Sequence, residues 1–280
     1  LTTNTTGTRN TATGNAALNA ATTGDDNTGL GYYALVSATT ASDNTAVGSS
    51  AMENATTGYA NTAVGKDAAK QLTTSYGNTV MGFQAGQSIT TGNGGNVIIG
   101  WQAGQRITTG ETNIAIGLKA LEENLTGGNN VAVGYNALGD VTANGNVGVG
   151  HEVMAVTTTG HSNVGMGYLA MKTNTTGAEN TAIGYQSLYS ATTADNNVAI
   201  GRLAMYAQTT GGLNTVVGAA AMQTSTTGAN STAIGTTACS SLTTASDACA
   251  LGYVALYSLT TGSNNVSVRI LEEQMPPVGI

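Results

Sequence analysis

The sequence predicts an all-β fold: a parallel β-solenoid (β-roll) of 17-residue coils, assembled as a homotrimeric fibre. Three observations carry this. A block of the form N-T-A-V-G returns at a fixed interval from one end of the chain to the other. The composition is dense in Thr, Asn and Gly, which are poor helix formers. And 17 residues are too few for two-helix repeats, whose units run to about 33 residues or more.

The repeat is N-T-A-V-G-Y-x-A-L-x-x-x-T-T-G-x-x, numbered here 1 to 17 from the Asn. Position 1 is Asn in thirteen consecutive coils: Asn10, Asn27, Asn44, Asn61, Asn78, Asn96, Asn113, Asn130, Asn146, Asn163, Asn180, Asn197 and Asn214. Stacked amides donate and accept along such a column, so these form a structural ladder. It stops at Ser231 and Ala248 and resumes at Asn265. Position 4 is Leu, Val, Ile or Met in every coil except that of Thr13. Positions 2 and 4 share one face of a strand and, being the more apolar pair, are expected to point inward. Position 3, small in most coils, is then expected to face a neighbouring chain or a shallow surface. Position 5 is the glycine that bends the chain. Position 8 is nearly always Ala, with Val153 and Ser187 the exceptions. Position 9 is usually Leu or Met, but is Ala69, Gly86 and Gly104 in three successive coils. In the last two, Ile89 and Ile107 stand at position 12, as though volume moves within one core slice. Strands are expected at positions 1 to 5 and roughly 8 to 13, with a second bend at the position 15 glycine.

Residues 1–269 therefore form one solenoid of about 16 coils with a partial first coil. The loop before Asn96 carries one extra residue and the stretch before Asn146 lacks one. Both lie in or beside the T-T-G segment, as expected of a surface turn that tolerates length change. Residues 270–280 leave the pattern, hold both prolines, and are expected to cap the last coil or connect to another domain. Each coil encloses few large side chains, which predicts that the rod also buries a face against other copies, most simply as a parallel homotrimer.

Composition narrows the function. Charged residues are only 8% of the chain, with Lys+Arg 8 against Asp+Glu 15 and a net charge of -7. Nucleic-acid binding needs a basic footprint that this lacks. No run of apolar residues is long enough to span a membrane. Disorder is disfavoured because hydrophobic residues reach 40%. Two cysteines, Cys239 and Cys249, make no disulfide framework and read as small apolar core residues. No cofactor or metal site is expected. His151 and His161 fall at opposite corners of one coil, and Asp25, Asp26 and Asp43 lack the glycine pattern of a calcium repeat. Arg106, Glu123 and Asp140 stack at position 11 beside Glu122, and Glu53 and Lys70 stack at position 10. These read as solvated columns, so the chain is expected not to be an enzyme. Paired threonines at positions 13 and 14 raise ice binding as an alternative, and the acidic stretch raises a polysaccharide-degrading solenoid.

The strongest binding candidates are aromatic. Position 6 holds Phe83, Trp101, Leu118, Tyr135, His151, Tyr168 and Tyr185 in consecutive coils, with Gln84, Gln102 and Asn136 beside them. Rings stacked along a rod suit a glycan chain lying over them, so Phe83, Trp101, Tyr135, Tyr168 and Tyr185 are candidate glycan or receptor contacts. Tyr189, Tyr206 and Tyr257 occupy position 10.

The N-T-A-V-G, Y-x-A-L and T-T-G blocks together resemble the shaft repeats of bacteriophage tail fibres and tail spikes. The N-x-A-I-G core is similar to the head repeats of trimeric autotransporter adhesins, whose unit is shorter. The resemblance covers Leu1 to about Arg269. It implies a homotrimeric shaft on a virion tail or an extracellular cell surface, attaching to a host cell or surface through a glycan or receptor. A bacterial trimeric adhesin or surface filament is the alternative within the same resemblance.

Overall fold

A computed structural model of the chain describes residues 3–269. Sixteen strands of three residues each, from β1 (Thr11–Thr13) to β16 (Val266–Val268), stack in sequence order into one parallel sheet. Each strand covers positions 2 to 4 of its coil, and like positions pair throughout: Thr45 opposite Thr62, Ala46 opposite Ala63, Val47 opposite Val64. The two length changes leave this register intact. Thr79 pairs with Val97 across the insertion and Val131 with Val147 across the deletion. One repeat is thus one turn of the solenoid. The expected cap or connector at 270–280 lies outside the described residues.

The inside and the outside of the strand are the reverse of the expectation. Position 3 is buried: Ala46, Ala63, Ile98, Ala115 and Ala132 are all inaccessible. Positions 2 and 4 face outward, and Leu30, Met81, Ile116, Met166 and Leu251 at position 4 are exposed. The reason is the Asn ladder. Position 1 is turned into the coil to make its hydrogen bonds, and alternation along the strand then sends position 3 inward as well. The interior there is narrow, which is why position 3 is small. Its apolar neighbours at 2 and 4 line the outer surface of the sheet. Cys249, at position 2, is accordingly exposed rather than in the core, whereas Cys239 at position 9 is buried.

The second expected strand, at positions 8 to 13, is instead a pair of consecutive turns. Ala51 N donates to Gly48 O at 3.4 Å and Ala55 N to Met52 O at 3.1 Å, closing turns over positions 5 to 8 and 9 to 12. Non-glycine residues at positions 7, 9 and 17 adopt left-handed backbone, as at Tyr33 (φ 58), Leu35 (φ 52) and Asp43 (φ 59). Each such residue costs roughly 1–2 kcal/mol relative to right-handed backbone. In return its N–H points along the rod to an adjacent coil. Tyr33 N donates to Asn15 O, Leu35 N to Ala51 O and Asp43 N to Asp25 O, at 3.0 to 3.1 Å. The turns therefore form ladders between coils much as the strand does.

The core is a column enclosed by positions 1, 3, 8, 9, 12 and 15. The Asn ladder runs along one side of it. Asn44 Nδ2 donates to Asn27 Oδ1 at 3.1 Å and to Gly58 O at 2.8 Å, and Asn44 Oδ1 accepts from Asn61 N at 3.0 Å and Asn61 Nδ2 at 3.1 Å. One amide thus joins three coils and ties the start of its own coil to its end. Ser231 continues the ladder in reduced form, accepting from Ala248 N at 3.2 Å. A threonine ladder runs beside it at position 13. Thr56 Oγ1 donates to Thr73 O at 3.2 Å, the same carbonyl that accepts from Thr56 N.

The exchange of volume between positions 9 and 12 is present as expected. A Cβ on Gly86 would lie 2.8 Å from Ile89 Cδ1, and one on Gly104 2.8 Å from Ile107 Cδ1. Leu72 fills the same place in the coil of Ala69. The position 5 glycines are required twice over. Gly117 has φ 133, and a Cβ there would stand 2.4 Å from Gly134 O of the next coil.

Candidate functional site: the outward columns

Immediately after each position 5 glycine the chain leaves the sheet, and position 6 emerges at the corner. Trp101 (56% exposed), Phe83, Tyr135, Tyr168 and Tyr185 are all solvent-accessible there. The column has two parts. Phe83 and Trp101 meet edge to face, with centroids 6.3 Å apart. Beyond the interruption at Leu118, Tyr135, His151, Tyr168 and Tyr185 form an unbroken stack at 4.9, 5.1 and 5.5 Å. These intervals are close to the strand spacing of about 4.8 Å, so the backbone register sets the ring spacing.

Polar groups flank the rings. Gln102 Nε2 donates to Gln84 Oε1 at 3.0 Å, and Gln105 Nε2 bridges Gln84 and Gln87 at 3.1 Å to each. Lys66 Nζ stands 5.9 Å from the Phe83 centroid. Lys172 reaches Glu152 beside the long stack at 2.8 Å. The Lys172 ammonium holds its proton more tightly than usual, chiefly through that hydrogen bond. An aromatic strip edged by amides offers ring faces for the C–H faces of a sugar and amide donors and acceptors for its hydroxyls.

Two further stacks lie elsewhere on the rod. Tyr189 and Tyr206 at position 10 stack at 5.2 Å, as their spacing implied. Tyr59 and Tyr76 at position 16 stack at 4.9 Å. The 17-residue separation of that pair is its signal in the sequence.

The charged columns resolve into ion pairs. Arg106 pairs with Glu123, Lys119 with Glu122, and Lys70 with both Glu53 and Asp67. Asp140 lies unpaired at the end of its column. Partial desolvation, and then the fields of Glu123 and Glu122, hold its carboxyl above its ordinary range. At the N-terminal end Asp26 pairs with Arg9, and Asp25 Oδ1 accepts from Thr8 N and Thr8 Oγ1. No group of three or more His, Cys, Asp or Glu is placed to hold a metal among the described residues. Of the two adjacent threonines, the hydroxyl at position 13 is engaged in its ladder while the residue at position 14 is exposed, as at Thr57. Only one of the two threonine columns is therefore free to meet water.

The remaining outward surface is the sheet face itself. Its position 2 column is mostly Thr and Val and its position 4 column mostly Val, Ile, Leu and Met, with no charged residue at either position in any coil. Among the described residues no helix is long and apolar enough to cross a membrane. Compared with known proteins, the chain matches no family model and no curated sequence.

Proposed function

We propose that the chain is the shaft of a surface fibre on a virion tail or on a bacterial cell, that it self-associates as a parallel trimer, and that it attaches to a glycan-bearing surface through its position 6 rings. The observation that carries the proposal is the uncharged outer face of the sheet. With strands about 4.8 Å apart, sixteen of them make a face about 75 Å long and about 12 Å wide. That is about 900 Å² per chain, close to the ~800 Å² each partner contributes to a standard stable interface. A second copy in parallel has the same axial repeat and so meets this face row by row over its whole length. The repeat resemblance to tail-fibre shafts and autotransporter heads supports the same reading.

The experiment is the mass of the refolded chain in solution by light scattering. The proposal expects three times 27.8 kDa. Replacing Ile99, Ile116 and Val133 on the face by Lys is expected to give monomers with unchanged circular dichroism. A monomeric mass for the unmodified, folded chain refutes the assembly.

A further inference from the structure

The one-residue deletion before Asn146 does more than shorten a turn. The coil that begins at Asn130 lacks its position 14 residue, and Ala143 takes over the position 15 role by accepting from Asn130 Nδ2 at 2.9 Å. At the same corner Gly128 and Gly145 carry no side chains. The outcome is a surface pocket of about 440 Å³ lined by Asn129, Ala143, Asn144, Gly145, His161 and Ser162. It opens at positions 15 to 17, across the strand from the ring column. Its volume is toward the lower end of the ~300–1,000 Å³ common for small-molecule sites, enough for one ring but not for a chain.

Its walls carry usable polar groups. Asn144 is fixed because its Oδ1 accepts from Gly128 N at 2.7 Å, which leaves Nδ2 without a protein partner. Asn129 meets Thr112 Oγ1 at 2.8 Å, and that hydroxyl's one proton also has Glu111 O at 2.7 Å, so either end of the Asn129 amide can face the notch. His161 Nδ1 lies 3.3 Å from Ser162 Oγ, and Nε2 has no protein partner. The fixed amide donor of Asn144, the Asn129 amide, an imidazole nitrogen and a hydroxyl, beside the Ala143 methyl group, match a polyhydroxylated ring better than a flat or apolar one. Glu111 and Glu179 stand in the coils on either side, with Asn129 N donating to Glu111 O and Glu179 N to His161 O. The Glu111 side chain reaches this corner, its Cγ 3.8 Å from where a Cβ on Gly128 would lie, and its charge disfavours an anionic ligand. We infer that this notch is a binding site for a single neutral sugar residue, separate from the ring column.

The test uses the full chain and four probes: the methyl glycosides of glucose, galactose, mannose and N-acetylglucosamine, observed by saturation-transfer NMR. Gly145→Asn fills the notch without straining the backbone, because Asn129 and Asn196 occupy the equivalent place with φ 59 and 58. At least one probe is expected to receive saturation, and to lose the notch's share of it, at least twofold, in Gly145→Asn and again in His161→Ala, while the ring column keeps its own share in both. No transfer to any probe overturns the inference. So does transfer that is unchanged in Gly145→Asn or in His161→Ala. The mass of the assembly is unaffected by any of these outcomes, so the fibre reading stands or falls apart from this one.

Discussion

Replacing Asn44 by alanine removes a side chain that bridges three coils. Two buried backbone groups lose their partners: Gly58 O, which accepts from Asn44 Nδ2 at 2.8 Å, and Asn61 N, which donates to Asn44 Oδ1 at 3.0 Å. Each orphaned group costs about 1–3 kcal/mol, so the variant is expected to lose about 4 kcal/mol locally. Asn44→Ser is the informative control. Ser231 shows that a hydroxyl at position 1 accepts from the next coil, so serine keeps a partner for Asn61 N and loses only the bond to Gly58. Half the penalty, about 2 kcal/mol, is expected there. Repeat arrays unfold in parts, so a global midpoint is a poor readout. Amide hydrogen exchange resolved at Asn61 and in the adjacent strands is the suitable assay. With tenfold per 1.4 kcal/mol, exchange is expected to accelerate roughly 1,000-fold in Asn44→Ala and roughly 30-fold in Asn44→Ser. Protection of Asn61 within threefold of the parent in Asn44→Ala would refute the ladder's role. Equal acceleration in both variants would show that the acceptor at position 1 is not what matters.

Other outcomes follow from the same geometry. Gly86→Leu overpacks its core slice against Ile89 and is expected to cost about 1–3 kcal/mol; adding Ile89→Ala restores the Leu–Ala pairing of Leu35 with Ala38 and is expected to recover part of that loss in thermal melts. Trp101→Ala is expected to reduce binding on glycan arrays while changing stability by about 1 kcal/mol or less, since the ring is exposed and shares only an edge contact with Phe83; unfolding would make the ring structural instead. Burial pushes the Cys239 thiol up to about 11, so at pH 8 it stays protonated as well as inaccessible. Iodoacetamide in native buffer is expected to leave Cys239 unmodified, and its labelling, read by mass spectrometry of peptides, would contradict the placement of position 9 in the core.

Much of the solenoid was legible because the repeat is strict. The 17-residue period, the Asn ladder, the position 5 glycine and the exchange of Gly86 and Gly104 with Ile89 and Ile107 all follow from lining up the coils. The direction of the strand did not. Hydropathy favoured Val47 and Ile116 over Ala46 and Ala115 as core residues, but the hydrogen-bonding demand of Asn44 and Asn113 turns the odd positions inward. Polar satisfaction outweighed side-chain size, and alternation carried the consequence along the strand. The turns at positions 5 to 12 were also hidden, because left-handed backbone at residues such as Leu35 and Met52 has no compositional signature. Each is held by a bond to the next coil rather than by its own preference. At the candidate site, the ring column was readable from spacing alone, including Tyr135 to Tyr185. The notch at Asn144 was visible only as a missing residue. Its polar lining depends on how Gly128 and Gly145 clear the corner, which a linear sequence does not display.

One repeat makes one turn, so that like positions stack at strand spacing. Nitroxides at Thr57→Cys and Thr193→Cys, both at position 14, test it most directly in a Cys239→Ala, Cys249→Thr background diluted with unlabelled chain. Eight coils separate the two sites, so pulsed electron paramagnetic resonance is expected to give about 38 Å, eight spacings of about 4.8 Å. A distance near about 19 Å would mean one turn for every two repeats at the same spacing, and would contradict the stacking from which both the ring column and the outer face derive.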